Sequence, residues 1–244
     1  MGRNWSLIVS QVNLNLNGKE IVLLGTAHVS QASCDEVKNA ILEKKPDCVA
    51  IELDEQRFSA LNDKESWKNL DIIKILKEKK GFLLLANLVL SSFQKRMGSN
   101  VGVKPGDEMR AGIEAAKELG IPSEMVDRPI QTTLRRAWAK NSGYGKVKLL
   151  SALFASAMTK EEVSGDEIEN LKNKSEMDGM MNELAEFMPG VKEVLIDERD
   201  FYLAAHIWKA VQKGERKSVI AVLGAGHLPG VQAHLEKIAR SEEN

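Results

Sequence analysis

Two short segments of the chain repeat the same pattern, a glycine followed three residues later by a histidine. Gly25 precedes His28, and Gly224 precedes His227, each pair directly after an apolar run. Glycine lets the backbone turn tightly off a strand and leaves room for a ligand. Imidazole is both a metal ligand and a proton carrier near neutral pH. A single such histidine is more often a structural hydrogen-bonding group, but the repeat predicts that both act in chemistry.

Two acidic residues occupy equivalent positions in their own segments, because Glu52 ends one short apolar run and Asp127 ends another. The carboxyl ends of parallel strands share one sheet edge, and ligands bind outside that edge. Burial of Glu52 without a partner would be costly, so we expect a site role or neutralisation by an arginine such as Arg57. Asp127 is explained equally well as the cap of the helix that begins at Pro129.

Two imidazoles and two carboxylates at one sheet edge suit a divalent metal, which we expect to be Mn²⁺, Co²⁺ or Zn²⁺. Water would complete the coordination, and a carboxylate would act as general base. Glu108 is a further candidate ligand, although its place in the first turn of a helix is also explained by the helix dipole. The sequence therefore predicts a metal-activated hydrolase with His28, His227 and Glu52 as catalytic residues. The predicted metal ligands are His28, His227, Glu52, Glu108 and Asp127.

Several further residues are candidates for binding substrate or for holding the ligands in place. Glycines leave space beside the backbone, and the planar guanidinium fork of arginine suits carboxylates of the protein or of a peptide substrate. For each arginine, structural ion pairing is an equal explanation. These candidates are Gly25, Gly224, Arg57, Arg128, Arg136, Arg199 and Asp200.

The elements that must position these residues predict an α/β fold. Polar and apolar residues alternate before Gly18, which indicates an N-terminal hairpin, and apolar runs without alternation then alternate with helical patterns. We expect a mixed, largely parallel central sheet flanked by helices, in a single domain over 1–244. Helical excursions are expected at about 60–100 and about 145–190. A long amphipathic helix over 191–213 is expected to pack on the sheet through a stripe that includes Phe201 and Trp208.

Composition narrows the classes of partner and compartment. The 244 residues include 34 basic and 35 acidic side chains, with a formal charge of −1, so no global charge favours nucleic acid or an anionic membrane. Two cysteines and a start without a secretory signal fit the cytoplasm. The longest apolar segment, 81–93, is shorter than the ~20 residues of a membrane span. Self-association through this segment, giving a homodimer, is a third interpretation beside hydrolysis and ligand binding.

Six motifs follow one another along most of the chain. They are Gly25-Thr-Ala-His28-Val-Ser30, Ile51-Glu-Leu-Asp54 with Arg57, Gly106-Asp-Glu-Met-Arg110, Asp127 to Arg136, Ile196-Asp-Glu-Arg-Asp200 and Val222-Leu-Gly-Ala-Gly-His227-Leu228. Taken in this order, the motifs resemble those of the TraB family, which is related to plasmid pheromone-shutdown proteins and to the TIKI proteases. The wider group includes erythromycin esterases and haem-binding ChaN-like proteins.

The resemblance implies a mixed α/β fold and, by analogy with TIKI proteins, Mn²⁺- or Co²⁺-dependent cleavage of peptides. His28, Glu52 and His227 carry over most directly. By analogy with ChaN-like proteins, the alternative is a non-catalytic protein that sequesters a peptide or haem in the same cleft. Related TraB proteins often continue into hydrophobic C-terminal segments, so we expect that a longer chain would be membrane-anchored with this domain in the cytoplasm.

Overall fold

The structure is a computed structural model that describes residues 9–26, 31–62, 106–140, 142–144 and 193–243. The chain divides into two compact units. The first comprises Met1–Trp67, Val101–Pro129 and Arg199–Asn244, and the second comprises Lys68–Asn100 and Ile130–Glu198. Most of the two expected helical excursions lies outside the described residues, and the prediction of a single domain stays a prediction.

The first unit holds a five-stranded sheet. Its strands are β1 (Ser10–Leu16), β2 (Lys19–Thr26), β3 (Cys48–Ile51), β4 (Ser123–Met125) and β5 (Ser218–Gly224), in the spatial order β1-β2-β5-β3-β4. β1 is antiparallel to β2, whereas the pairs β2–β5, β5–β3 and β3–β4 are all parallel. Asn17 and Gly18 both have positive φ in the turn between β1 and β2, as a tight two-residue hairpin requires. The predicted α/β fold and its N-terminal hairpin are therefore confirmed.

Six α-helices are described over their length. They are α1 (Gln31–Lys44), α2 (Glu55–Asn62), α3 (Asp107–Leu119), α4 (Ile130–Lys140), α5 (Glu198–Gln212) and α6 (Leu228–Glu242). A π-helical turn, Glu193–Asp197, precedes α5, and a 3₁₀ turn, Ala225–His227, joins β5 to α6. No helix among the described residues is long and apolar enough to cross a membrane, and the apolar segment 81–93 lies outside them.

β5 is the central strand, and it is buried on both faces. Val219 and Leu223 pack with residues of α5 and α6, while Ile220 and Val222 pack with residues of α1 and α3. A strand that is covered on both sides has no face for polar residues, which is why its sequence lacks alternation. Helices thus cover both faces of the sheet, so polar side chains can gather only at the ends of its strands.

The predicted apolar stripe of α5 is wrong at one position. Phe201 is 55% exposed, and its ring meets the His234 ring edge-on with centroids 5.4 Å apart. The buried face of the helix is centred near Ile207 and Val211, and at about 100° per residue Phe201 falls at its margin, next to Trp208. Trp208 lies within the buried face, as predicted.

The strand register brings the carboxyl ends of four strands to one edge of the sheet. Thr26 pairs with Gly224, and Ile51 pairs with Val222. The ladder continues one step past β3, because the Glu52 amide donates to the Val222 carbonyl at 3.1 Å. The acidic residues that follow the strands are therefore anchored at this edge by backbone hydrogen bonds.

Candidate functional site

A group of charged side chains gathers at the carboxyl edge of the parallel strands, within the first unit, and is called here the edge cluster. Two members follow β3, one lies in the first turn of α2, one follows β4, two lie in the first turn of α5 and one ends the 3₁₀ turn after β5. Four separate stretches of chain, 52–57, 127, 199–200 and 227, thus contribute to one site. In that order the members are Glu52 and Asp54, Arg57, Asp127, Arg199 and Asp200, and His227.

Arg199 lies at the centre of the edge cluster. Its Nη2 donates to Oε1 of Glu52 and, at 2.6 Å, to Oδ2 of Asp127, while its Nε donates to Oδ1 of Asp127 at 3.0 Å. Its Nη1 lies 3.0 Å from Nε2 of His227. Burial lowers the pKa of the guanidinium, but Glu52 and Asp127 outweigh burial and raise that pKa above its ordinary value. Arg199 is therefore a permanent positive charge.

His227 is held between a buried carboxylate and the central guanidinium. Its Nδ1 lies 2.5 Å from Oδ1 of Asp200, and its Nε2 lies 3.6 Å from Oε1 of Glu52. A guanidinium has only donors, so Nε2 must accept the hydrogen bond from Arg199. Nδ1 then carries the ring proton and donates it to Asp200. The two contacts together fix the tautomer that carries its proton on Nδ1.

Two arginines surround Asp127. Besides the bonds from Arg199, its Oδ2 accepts from Nη2 of Arg57, and its Oδ1 accepts from the Arg128 backbone amide at 2.7 Å. Burial raises the pKa of this carboxyl, but Arg199 and Arg57 outweigh burial, so the pKa lies below its usual range. Asp54 orients Arg57 through two hydrogen bonds, from the backbone amide at 2.9 Å and from Nε at 2.8 Å.

Glu52 bridges two strands and the central arginine. Its Oε2 accepts the Gly224 backbone amide at 2.6 Å, and its Oε1 accepts from Arg199. Arg57, which the sequence suggested as a neutralising partner, instead bonds Asp54 and Asp127. A Cβ at Gly224 would lie 3.5 Å from Oε2 of Glu52, so the carboxylate rests directly on the glycine backbone.

Some sequence candidates have their described contacts outside the edge cluster. Glu108 is buried with Ser33, whose hydroxyl donates to it at 3.3 Å, and burial raises the pKa of this carboxyl. Arg136 pairs with Glu198 in the second unit, and 55% of its side chain is exposed. Gly25 packs on Leu228, whose Cδ1 would lie 2.5 Å from an added Cβ.

Two other candidates differ in how far the structure describes them. Arg128 is a buried neighbour of Asp127 along the chain, and its backbone amide is the atom that bonds the Asp127 carboxylate. His28 lies outside the described residues, so its role stays a prediction.

The chain matches a family model, that of the TraB/PrgY/gumN family, over residues 12–242. The chain belongs to this family. It is 34% identical over 228 residues to an uncharacterized protein of Methanocaldococcus jannaschii, which covers 93% of this chain and 56% of that protein. It is 30% identical over 238 residues to the human TraB domain-containing protein, covering 88% of this chain and 62% of the relative. The mouse TraB domain-containing protein gives the same values.

The comparisons confirm the family resemblance that the motifs suggested. The chain spans about 56–62% of the length of these curated relatives. The two glycine–histidine motifs, the acidic residues and the cluster arginines all fall within the matched residues. The edge cluster therefore belongs to the part of the chain that carries the family relationship.

The described residues of this TraB/PrgY/gumN member do not fit a divalent metal as they are arranged. Among them, no group of three or more His, Cys, Asp and Glu side chains is placed to hold an ion. Two carboxylates and an imidazole are suitable ligand types, but Glu52, Asp127 and His227 each bond Arg199 with the atom that would face an ion. Metal binding that involves His28 stays a prediction.

Sequence reasoning missed two contributors to the site. Asp54 was not singled out, although its spacing of three from Arg57 is that of an ion pair in a first helical turn. Gly230 was also missed, and an added Cβ there would lie only 1.9 Å from Oδ2 of Asp200. Nothing in the sequence pattern signals that second contact, because it joins the first turns of α5 and α6 across the fold.

Proposed function

We propose that this TraB/PrgY/gumN-family protein is a hydrolase that cleaves amide bonds in peptide substrates. The observation that carries the proposal is that His227 contacts Asp200 through Nδ1 and lies close to Glu52 through Nε2. A buried carboxylate holds the Nδ1 proton, so that Nε2 can take up a proton once its hydrogen bond from Arg199 is broken. An imidazole held in this way is suited to removing a proton from water and returning it to a leaving group.

The same edge supplies positive charge for the carbonyl oxygen of the amide that is cleaved. Nη1 of Arg199 lies next to Nε2 of His227, at 3.0 Å, so the base and a charged donor adjoin each other. A fixed donor at the place where negative charge develops stabilises the transition state. Asp127 and Glu52 orient this guanidinium, and Asp54 with Arg57 orients Asp127.

Glu52 has a supporting role in this proposal. Its Oε1 is 3.6 Å from Nε2 of His227 and favours the imidazolium that forms once the ring has taken a proton. The Gly224 amide holds the other oxygen of the same carboxylate. His28 is the second histidine of the proposal, and dependence on Mn²⁺, Co²⁺ or Zn²⁺ is a feature to be tested rather than a step of the mechanism.

The test is a cleavage assay on a mixed peptide library, read by mass spectrometry, with purified protein in chelator and with each metal added. Wild-type protein should generate fragments, and His227→Gln should lower the rate by about 10²–10⁴-fold. The matched control is His206→Gln, because His206 stacks on Tyr202 and bonds its carbonyl rather than the edge cluster. Wild-type protein that binds a peptide or haem but cleaves nothing in any condition would favour the non-catalytic alternative.

A further inference from the structure

We infer that the guanidinium of Arg199 occupies the position of a divalent cation in the edge cluster, so that the chain itself supplies the positive charge there. Oε1 of Glu52, Oδ2 of Asp127 and Nε2 of His227 all contact this one group. These are the atom types that bind transition metals in proteins. The inference rests on the proposed function only for the use of that charge in catalysis, since occupancy of the position is a question of binding.

The three groups converge from separate pieces of chain. One follows β3, one follows β4, and one lies in the turn after β5. In each group a second polar atom is held by another partner. Oε2 of Glu52 accepts the Gly224 amide, Oδ1 of Asp127 accepts the Arg128 amide, and Nδ1 of His227 donates to Asp200. Outer hydrogen bonds of this kind orient metal ligands in metalloproteins, and here they orient three groups towards Arg199.

Arg199 and a divalent ion are mutually exclusive at this position. Arginine stays charged, and it offers donors but no lone pair to an ion. Charges that share contacts of about 3 Å repel strongly where water is largely excluded, and only 20% of the Arg199 side chain is exposed. An ion could therefore reach the three ligand atoms only after the guanidinium had left.

The test measures metal binding directly, by calorimetric titration of chelator-treated protein with Mn²⁺, Co²⁺ and Zn²⁺. Wild-type protein should show no site that depends on Glu52. Arg199→Ala should gain one site, at least tenfold tighter than any in the wild-type protein, and Arg199→Ala with Glu52→Gln should lose it. Arg136→Ala is the control, because Arg136 pairs with Glu198 in the second unit.

Folding of each variant is checked by its unfolding transition, and Arg199→Met serves as a second variant that keeps most of the side-chain volume. A folded Arg199 variant that gains no site would overturn the inference. A wild-type site that is lost on Glu52→Gln would overturn it as well, and this second outcome needs no Arg199 variant to fold.

Parallel cleavage assays separate this inference from the proposed function. If the metal titrations give the expected binding but no protein cleaves peptide, the hydrolase is rejected and the inference stands. Cleavage only when wild-type protein holds an ion at the edge cluster would keep the hydrolase and reject the inference. Cleavage by chelator-treated wild-type protein supports both.

Discussion

At the scale of single residues, the contact between Asp200 and His227 decides what the imidazole can do. The carboxylate is 4% exposed and lies 2.5 Å from Nδ1. A buried acceptor at one ring nitrogen fixes the proton there and leaves the other nitrogen basic. The sequence predicted His227 from its glycine–histidine spacing and included Asp200 as a supporting residue. The central position of Arg199 was not predicted, because its guanidinium reaches across contacts that neither spacing nor periodicity encodes.

Replacing Asp200 with asparagine tests this contact. The amide keeps the shape of the side chain but loses the charge that favours an imidazolium, so the cleavage rate should fall by about 10²–10⁴-fold. Asp35→Asn is the control, because Asp35 accepts an exposed hydrogen bond from Gln31. A fully active Asp200→Asn protein would exclude this role.

Gly230 tests how closely α6 must approach the same carboxylate. An added methyl group would lie 1.9 Å from Oδ2 of Asp200, so Gly230→Ala must displace either the carboxylate or the helix. Alanine favours a helix by about 1 kcal/mol over glycine, but overpacking of this kind costs about 1–3 kcal/mol. We expect lower activity together with a lower free energy of unfolding in urea.

The matched control for Gly230→Ala is Gly226→Ala. Among the described atoms, nothing lies within 4 Å of the Cβ that this substitution adds. If Gly230→Ala unfolds at a higher urea concentration than the wild-type protein and keeps full activity, the close approach of α6 to Asp200 matters for neither stability nor activity.

The buried carboxyl of Glu108 predicts a dependence of stability on pH. Burial raises its pKa above the ordinary 4.5, so the folded state binds this proton more tightly than the unfolded state does. The contribution of Glu108 to stability is therefore full below about pH 4.5 and is lost as the pH rises through its folded pKa. Asp127 has the opposite sign, because its lowered pKa favours the folded state above 3.8 and that contribution is lost as the pH falls.

Glu108→Gln removes the charge and keeps a group that can accept from Ser33. Relative to the wild-type protein, its urea midpoint should rise more at pH 8 than at pH 4. Glu114→Gln, on the exposed side of the same helix, is the control and should show no such difference. Equal midpoint changes for Glu108→Gln at both pH values would contradict the raised pKa.

At the scale of elements, the sequence predicted which segments form strands better than it predicted the lengths or the packing of the elements. The unalternating apolar runs identified the parallel strands, because strands covered on both faces need no polar side. Asp127 was expected to end a strand, but β4 covers only Ser123–Met125 and stops before it. Phe201 was placed on the buried face of α5 because spacing alone does not fix the centre of a stripe. Register and strand order depend on long-range packing, which no local pattern records.

The contact of α3 with the sheet gives a prediction at this scale. A Cβ at Gly112 would lie 2.9 Å from Cδ1 of Ile51 and 3.2 Å from Cγ2 of Val222. Gly112→Leu should therefore push α3 off the sheet and lower the free energy of unfolding by about 1–3 kcal/mol. Lys117→Leu, at an exposed position of the same helix, should change it by no more than about 0.5 kcal/mol. Equal stability of the two variants would argue against this packing.

At the scale of the whole molecule, the chain belongs to a family whose curated members here are longer than it is, since it spans 56% and 62% of two of them. The activity of the edge cluster is therefore best tested on this chain directly rather than taken from the relatives.

The expected cytoplasmic location and the homodimer through 81–93 stay predictions. On the homodimer interpretation, light scattering gives twice the mass of 27.0 kDa, and a monomer would contradict that interpretation.

The central claim is that His227, held by Asp200 and facing Arg199, performs hydrolysis. The most direct measurement is peptide cleavage by chelator-treated wild-type protein beside His227→Gln, on one library and at one protein concentration. The account predicts fragments from the wild-type protein and a loss of about 10²–10⁴-fold in the variant. Equal cleavage by both proteins, or none by the wild-type protein with or without metal, would contradict it.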